Sequence, residues 1–309
     1  MTLDGETISA ALADLHLGHL VAIAALSGGT SPVFRLDFDS QVSVTLKVYP
    51  DSDGAIGRDS FAAGQLRHIG VPVTRTLLVD ETRARLPFRF AVTTHLPGVA
   101  AGSLKAHPDI ASLYRQAGSL LRELHEVAMP AYGPFGPEGI DDPVASNGLF
   151  MRRLIDDAFE QFSAFGAEPR LVDRLRIVVE AHFNAVTSAS RGPVFAHDDL
   201  HPNNLLAVED GQGHLTLSGL IDFGNARAAD AVFDLAKCLF CFEHDAPGST
   251  VHVLSGYGPI GHPDPDLAVW HYTIIHRMVM WWWLRRVGVI ASADTPSDLM
   301  DRLRDVAFS

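Results

Sequence analysis

The stretch Val194–Gly224, VFAHDDLHPNNLLAVEDGQGHLTLSGLIDFG, contains the pattern that decides the fold. An apolar run leads into the polar loop His197–Asn204, and a second apolar run follows directly. After a Gly-rich turn, the strand-like run Leu215–Ile221 ends at the sequence DFG, which begins with Asp222. This pattern predicts a β-hairpin that brings the acidic residues before and after it close together.

The spacing of the polar residues in this stretch indicates phosphoryl transfer. Asp199 and Asn204 fit the pattern D-x-x-x-x-N of a kinase catalytic loop, and Asp222 begins D-F-G. In that template the first Asp accepts the proton of an attacking hydroxyl, while the Asn and the second Asp hold Mg²⁺ against the nucleotide phosphates. Mg²⁺ prefers oxygen ligands and usually takes one or two carboxylates. Each short motif alone is typical of a solvated turn, so the inference depends on their order and on the flanking strands.

The chain has 309 residues, 47% of them hydrophobic, and this size favours two structural lobes over one. Its formal net charge of -13 argues against a general nucleic-acid binder, which would carry a basic surface. The negative charge is compatible with a cationic small substrate, although an acidic surface more often serves solubility.

Neither a disulfide framework nor a membrane span is expected. Cys238 and Cys241 form C-x-x-C in an apolar helical run, and without a second such pair we interpret them as packed thiols. The start of the chain lacks the apolar segment of a signal peptide, and arginines interrupt the apolar run Ile274–Ile290. We expect a cytoplasmic monomer or homodimer.

The first hundred residues predict a small antiparallel sheet. The strand-like run Leu20–Leu26 leads into the loop Ser27–Pro32, and alternating residues over 34–38 and 42–48 then predict two strands, the second containing Lys47. A Gly-rich turn can lay backbone N–H groups over phosphates, and a lysine on a following strand can reach them. The alternative is an ordinary hairpin turn beside an exposed lysine.

A helix predicted over residues 56–69 carries Asp59 near its start. This acid can pair with Lys47, as a glutamate does in kinases, or it can simply interact with the helix dipole. A strand over residues 88–95 follows, and Leu96-Pro97-Gly98 breaks it. We place the lobe boundary there, with a nucleotide-binding lobe over residues 1–96 and a catalytic and substrate-binding lobe over residues 97–309.

The second lobe is predicted to be mainly helical. Helical periodicity covers residues 110–127, 150–165, 170–189, a helix from about 231, and 267–289 as the last helix of the chain. Gly and Pro residues predict irregular segments over residues 131–142 and 245–266.

Three motifs carry a resemblance to a known family: HDDLHPNN at residues 197–204, IDFG at 221–224 and FDLA at 233–236. Together with the loop Ser27–Pro32 they extend over nearly the whole chain, which resembles the aminoglycoside phosphotransferase family and the related choline kinase-like small-molecule kinases. The resemblance implies an α+β, protein-kinase-like fold of two lobes, a small one with an antiparallel sheet and helix C and a larger, mainly helical one. It also implies ATP-dependent transfer of the γ-phosphoryl group to a hydroxyl of a small molecule.

The resemblance further implies a role for each matching residue. Asp199 would be the catalytic base, and Asn204 and Asp222 would bind Mg²⁺. Asp234 would brace the catalytic loop. ATP or GTP would be bound by Ser27, Gly28, Gly29, Thr30, Lys47, Asp59, Thr94 and Leu96.

Three residues depart from the family's pattern. Asp198 replaces a glycine, and its carboxylate can raise the pKa of the neighbouring Asp199. Asp59 stands in place of a glutamate that is one methylene longer, and Asn225 stands where the family often has an acidic or bulky residue. None of the three removes a magnesium ligand or the base, so we expect an active enzyme.

The expected acceptor is an aminoglycoside-like antibiotic or a related amino sugar or amino alcohol, with no nucleic-acid or membrane partner. Clustered acids in the second lobe would attract a cation, or they are only solvated helix and loop faces. The indoles of Trp281, Trp282 and Trp283 offer cation–π contacts, or at least two of them belong to the core. The acids are Glu138, Asp141, Asp142, Asp156, Asp157, Glu160, Glu243, Asp245, Asp264 and Asp266.

Two other functions stay open at this point. A regulatory module that binds nucleotide without catalysis would not need the base and the magnesium ligands together. A metal-dependent phosphohydrolase would need transition-metal ligation by imidazoles, and it leaves Lys47 and Asn204 without a role. Its ligands would be His197, Asp198, His201 and Asp222.

Overall fold

The computed structural model describes residues 3–26, 31–49, 54–70 and 72–309. Its N-terminal part contains an antiparallel sheet of five strands in the order β1-β2-β3-β5-β4. The strands are β1 (Leu20–Leu26), β2 (Val33–Phe38), β3 (Ser43–Tyr49), β4 (Thr76–Asp80) and β5 (Arg89–Thr94). The predicted strands over 20–26, 34–38, 42–48 and 88–95 are therefore confirmed, each within one residue of its predicted ends.

The two faces of this sheet differ because side chains alternate along each strand. Phe34, Leu36 and Leu46 are buried on one face, where they form one apolar cluster with residues of helix α1 (Gly5–Ala11). Lys47 lies on the opposite face and reaches residues of the second lobe. The alternation predicted from the sequence thus directs the lysine away from the core and into the space between the lobes.

Helix α2 (Ala55–Gln65) is the helix predicted over residues 56–69, and Ile56, Ala62 and Ala63 are its buried residues. It ends earlier than predicted, because the N–H of Leu66 bonds to the Ala63 carbonyl in a tighter turn. The helix packs beside β3 and thereby brings Asp59 toward the lysine on that strand.

A second sheet contains the predicted hairpin. Strand β6 (Val99–Ala100) pairs with β9 (Leu205–Glu209), and β9 pairs with β10 (Leu215–Leu220), all antiparallel. Gly98 has a φ of 107°, and a Cβ there would overlap the carbonyl oxygen of Ala207. Only glycine therefore lets the connection between the lobes pass so close to the hairpin.

Strand β10 is bonded to the first part of the chain at two places. Ser218 Oγ donates a hydrogen bond to the carbonyl oxygen of Pro97 at 2.6 Å. The N–H of Leu220 donates to the carbonyl oxygen of Pro72 at 3.0 Å, and Val73 forms a parallel bridge with Leu220. The strand that leads to Asp222 is thus held both at the connection after β5 and at the segment before β4.

The rest of the chain is mainly helical, with a small third sheet. The helices are α3 (Ile110–His125), α4 (Asn147–Ala164), α5 (Pro169–Thr187), α6 (Ala231–Asp245), α7 (Thr250–Tyr257), α8 (Pro265–Arg286) and α9 (Asp298–Phe308). The third sheet has the order β7-β11-β8, with β7 (Gly133–Pro134), β8 (Val194–Ala196) and β11 (Arg227–Ala229). Within the described residues, no helix has the length and apolar character needed to cross a bilayer.

Three elements differ from the sequence-based expectations. Helix α7 lies in the segment 245–266 that was expected to be irregular, and β7 lies in the segment 131–142. Helix α9 follows the helix that was expected to be the last, although its apolar residues Leu299, Leu303 and Ala307 lie on one buried face. Helix α7 forms because it packs closely on α3, so tertiary contact overrides a composition rich in Gly and Pro.

The contact between α3 and α7 depends on small residues. A Cβ at Gly118 in α3 would overlap the carbonyl oxygen of Val253 in α7, and a Cβ at Gly256 would overlap the carbonyl oxygen of Arg115. By contrast, a Cβ at Gly64 in α2 would meet no atom within 4 Å. An added methyl group would therefore clash at Gly118 but would meet open space at Gly64.

We predict that Gly118→Ala lowers the free energy of unfolding by about 1–3 kcal/mol, because the methyl group forces the two helices apart. The matched variant Gly64→Ala should raise it by up to about 1 kcal/mol, since alanine favours an unobstructed helix. Urea denaturation of both variants measures the difference. Equal effects of the two substitutions would contradict the close packing of α3 on α7.

Candidate active site

The hairpin β9–β10 and the third sheet position the two polar segments that the sequence singled out. The loop 197–204 connects β8 to β9, and the segment 221–226 connects β10 to β11. The N–H of Ile221 donates to the carbonyl oxygen of Asn204 at 3.1 Å, so the end of one segment is bonded to the start of the other. In addition, His197 Nε2 lies 3.2 Å from the carbonyl oxygen of Ile221.

Asp234, near the start of α6, holds the backbone of the loop 197–204 through hydrogen bonds. Its carboxylate accepts the backbone N–H groups of His197 and Asp198, each at 2.8 Å, and it lies 3.0 Å from His125 Nε2. Burial by itself would raise the pKa of Asp234, but the hydrogen bond and charge of His125 and the further bonds lower it overall. The carboxylate therefore stays ionised as a fixed acceptor for the loop.

The predicted base Asp199 is held through two amide side chains. Asn204 Nδ2 donates to the backbone carbonyl oxygen of Asp199 at 2.9 Å. Asn225 Nδ2 donates to the carboxylate oxygen Oδ2 of Asp199 at 3.2 Å. The bond of Asn204 uses its amide nitrogen, and its oxygen Oδ1 is therefore available as a metal ligand.

Lys47 lies between two carboxylates from different parts of the chain. Its Nζ is 3.0 Å from Asp59 Oδ2 and 2.9 Å from Asp222 Oδ1. Burial would lower the pKa of Lys47, but the two carboxylates raise it overall. Burial would likewise raise the pKa of Asp222, whereas the Lys47 ammonium lowers it. The shorter acid at position 59 therefore reaches the lysine, and Lys47 and Asp222 stay charged at neutral pH.

Tyr49 belongs to the same cluster, and the sequence analysis missed it. Its hydroxyl donates to Asp59 Oδ2 at 2.6 Å, and Lys47 Nζ lies 4.9 Å from the centre of its ring. Burial and the neighbouring Asp59 raise the pKa of Tyr49 above its usual range. Position 49 is two residues after Lys47 on β3, so strand periodicity alone would have placed both side chains on one face.

Asp198 has an unusual backbone conformation and an ion-pair partner. Its backbone has a φ of 52°, a left-handed conformation in which glycine is favoured and aspartate is tolerated. The carboxylate of Asp198 forms an ion pair with Arg227, whose Nη2 is 2.8 Å away. It therefore does not lie unpaired beside Asp199. Burial raises the pKa of Asp198 to about 6, against the opposing charges of Arg227 and Lys237.

Lys237, one turn after Asp234 on α6, was also missed. It is buried, which would lower its pKa, but Cys241, Asp199 and Asp198 raise the pKa overall. The helical spacing of three residues from Asp234 was the available signal, because such residues lie on one face. A charged ammonium group therefore lies near both acids of the loop. Cys241 and Cys238 are buried free thiols, as expected.

Some of the residues predicted to bind the nucleotide belong to the part of the chain that the structure describes, and others do not. Ser27, Gly28, Gly29 and Thr30 lie outside the described residues. Thr94 ends β5, and its Oγ1 accepts the N–H of Arg75 at 2.9 Å, while Leu96 is buried at the junction of the two sheets.

His95, between them, places Nδ1 3.0 Å from Thr45 Oγ1 on the face of the sheet that carries Lys47. No motif in the sequence indicates His95 or Thr45 as site residues.

The acids and indoles considered for the acceptor are dispersed. Asp245 lies 3.3 Å from His201 Nδ1 and so reaches the loop 197–204, whereas Asp264 caps α8 and Asp156 pairs with Arg176. Trp281 is buried in the core, Trp282 is partly buried and stacks on Phe165, and Trp283 is exposed. The three indoles therefore do not form one binding surface.

The ligand set expected for a phosphohydrolase is not assembled. In the part of the chain that the structure describes, no three His, Cys, Asp or Glu side chains converge as a metal site. His197 Nε2 is at the Ile221 carbonyl and His201 Nδ1 faces Asp245, so these imidazoles are engaged elsewhere. Asp222 and Asn204 offer the oxygen donors that suit Mg²⁺ completed by phosphates.

Comparisons with known proteins identify what the fold is similar to. The model of the phosphotransferase enzyme family matches residues 22–266. The structure of aminoglycoside phosphotransferase APH(4)-Ia is 16% identical, with a TM-score of 0.73 over 98% of each chain. The GDP complex of aminoglycoside 2'-phosphotransferase-IIIa is 16% identical, with a TM-score of 0.66 over 98% of this chain and 97% of that one.

A third solved structure is macrolide 2'-phosphotransferase MphH from Brachybacterium faecium. It is 14% identical, with a TM-score of 0.61 over 97% of this chain and 98% of that chain. No curated protein matches the sequence. The shared fold confirms the predicted α+β, kinase-like class with a small antiparallel-sheet lobe and a mainly helical lobe.

We predict that the free energy of unfolding of Asp198→Asn, measured relative to the unchanged chain, rises by about 2 kcal/mol between pH 4 and pH 7. The folded pKa of Asp198, about 6, lies above its usual 3.8, so the unfolded chain ionises first. The stabilisation from this carboxyl is complete below pH 4 and is lost as the pH rises to 6. Denaturation at several pH values measures the change.

The matched control is Asp210→Asn. Backbone bonds from His214 and Gln212 lower the pKa of this exposed carboxyl below its ordinary value, so we expect little change in the difference from pH 4 to pH 7. A flat difference for Asp198→Asn over this range would contradict the raised pKa.

Proposed function

The chain belongs to the phosphotransferase enzyme family, and from this premise we propose that it transfers the γ-phosphoryl group of ATP or GTP to a hydroxyl of a small molecule. As a member of this family it is a small-molecule kinase. The observation that supports the proposal most directly is the position of the Lys47 ammonium, within 3.0 Å of both Asp59 and Asp222. This lysine and the DFG acid meet beside the loop that carries Asp199, as phosphoryl transfer requires.

Lys47, steadied by Asp59, would bind the nucleotide phosphates. Thr94 and Leu96 would border the adenine or guanine ring of the nucleotide at the junction of the two sheets. The turn of Ser27, Gly28, Gly29 and Thr30 would cover the phosphates. Asn204 and Asp222 would hold Mg²⁺, for which their oxygen atoms are suitable ligands. When bound, Mg²⁺ would neutralise charge that develops on the phosphates.

Asp199 would accept the proton of the attacking hydroxyl. The bonds from Asn204 and Asn225 fix its backbone and its carboxylate, so the group is oriented before the acceptor arrives. Asp234 would act only on the loop, by accepting the N–H groups of His197 and Asp198. Phosphoryl transfer then depends mainly on positioning and on charge, which these contacts supply.

The proposed acceptor is an aminoglycoside-like antibiotic or a related amino sugar or amino alcohol. A thermostable mutant of APH(4)-Ia forms a ternary complex with ADP and hygromycin B, and APH(2")-IIia forms a complex with GDP and kanamycin. A cationic acceptor also suits a chain with a formal net charge of -13. Asp245, paired with His201 of the loop 197–204, is the acid that we propose to contact this acceptor.

We further propose that residues 1–96 act as the nucleotide lobe and residues 97–309 as the lobe for catalysis and acceptor binding. The support is the close passage of Gly98 against the hairpin, which marks a change from one sheet to the next.

Asp199→Ala should lower kcat by about 10²–10⁴-fold, because the proton acceptor is removed. The Kd of Mg·ATP should change by less than about 2-fold, since the carboxylate does not belong to the proposed phosphate contacts. Coupled nucleotide consumption and fluorescence titration measure the two quantities. Asp210→Ala, in an exposed turn, is the matched control and should leave both unchanged.

The acceptor class is tested by a screen of nucleotide consumption with ATP and with GTP. Hygromycin B, kanamycin, a macrolide, amino alcohols and sugars serve as acceptors, and we expect Mg²⁺-dependent consumption with at least one aminoglycoside. Binding of nucleotide without consumption would favour a regulatory module. Release of phosphate from an added phosphate monoester without nucleotide, dependent on Mn²⁺ or Zn²⁺, would favour a phosphohydrolase instead.

A further inference from the structure

Asn225 is exposed beside Asp199, and its Nδ2 donates to the carboxylate oxygen Oδ2 of that acid at 3.2 Å. We propose that Asn225 is a positioning residue that selects which oxygen of Asp199 accepts the proton of the acceptor hydroxyl. The inference rests on the proposed function, because it assigns Asp199 the part of the proton acceptor.

The selection follows from the symmetry of a carboxylate. Its two oxygen atoms are chemically equivalent, and rotation about the bond to the carboxyl carbon exchanges them at little cost. A donor bound to Oδ2 removes this equivalence, because Oδ2 loses basicity and Oδ1 is left as the better proton acceptor. A hydrogen bond to a charged acceptor is strong enough to keep one orientation dominant.

Asn225 is itself held in place by Arg227. The Nε of Arg227 donates to the backbone carbonyl oxygen of Asn225 at 3.3 Å, and Nη2 binds Asp198 Oδ2 at 2.8 Å. Asp198 is the neighbour of Asp199 in the loop, so one guanidinium fixes Asn225 relative to the residue that it orients. The backbone of Arg227 in β11 is paired with that of Ala196 in β8, immediately before the loop 197–204.

The other amide acts on a different part of Asp199. Asn204 Nδ2 binds the backbone carbonyl oxygen, and thus fixes the main chain without choosing between the carboxylate oxygens. The side-chain contact comes from Asn225, and it requires an amide. A carboxylate at position 225 would have a similar shape but would place a second negative charge against Asp199.

The experiment compares Asn225→Ala and Asn225→Asp with the unchanged chain, using the acceptor that gives the highest turnover in the screen. We expect kcat to fall about 10-fold to 100-fold for alanine, from the loss of one bond to a charged group. The aspartate variant should fall further. The KM for ATP should change by less than about 2-fold in both, because Asn225 lies outside the proposed phosphate contacts.

Two further measurements separate positioning from folding. Asn184→Ala and Asn184→Asp make the same chemical changes on an exposed part of α5 and should leave kcat unchanged. The melting temperatures of the Asn225 variants should match the unchanged chain within about 2 °C, since surface substitutions change stability little. An unchanged kcat in Asn225→Ala would overturn the proposal, as would an aspartate variant more active than the alanine variant.

Crystal structures of the unchanged chain and of Asn225→Ala decide the inference without any acceptor. We expect a single Asp199 carboxylate orientation in the first and a rotated or divided one in the second. The same orientation in both would overturn the inference. If no acceptor in the screen supports nucleotide consumption, the proposed function fails. The comparison of the two crystal structures then still decides whether Asn225 orients the Asp199 carboxylate.

Discussion

The ammonium group of Lys47 joins three parts of the chain, and the geometry of the site depends on it. It reaches from β3 to Asp59 on α2 and to Asp222 after β10. Removing both carboxylates would leave the partly buried ammonium group of Lys47 without either of these partners, which is costly. Two carboxylates face one ammonium group, so the cluster has an excess of negative charge. A divalent cation that binds Asp222 together with phosphates would neutralise this excess.

Two of the three departures from the family's pattern, Asp198 and Asn225, belong to one connected group of contacts. Asp198 would be a second carboxylate next to the base, but Arg227 binds it and leaves Asp199 to a neutral donor. That donor, Asn225, lies where an acid would add a like charge. Exchange of the glycine for Asp198 is tolerated because aspartate adopts the left-handed conformation that the loop needs at this position. Arg227 therefore offsets the charge of Asp198, and Asn225 adds no charge beside Asp199.

Elements with a regular alternation or helical periodicity could be predicted from the sequence. Contacts between residues far apart in the sequence could not. The strands, the hairpin and the position of Lys47 follow from alternation of period two, and the same rule would have revealed Tyr49. Helix α9 has a regular apolar face and was readable in the same way. The contact of Asn225 with Asp199 joins residues 26 positions apart, and no local pattern encodes it. Helix α7 forms against α3, so its sequence alone indicated a loop.

The two bonds that hold strand β10 have a mechanical consequence. Ser218 is fixed to Pro97, and Leu220, two residues before Asp222, is fixed to Pro72 in the first lobe. The strand that carries Asp222 therefore has a backbone connection to the first lobe that does not depend on the ion pair between Lys47 and Asp222. Loss of that ion pair would leave this second connection in place.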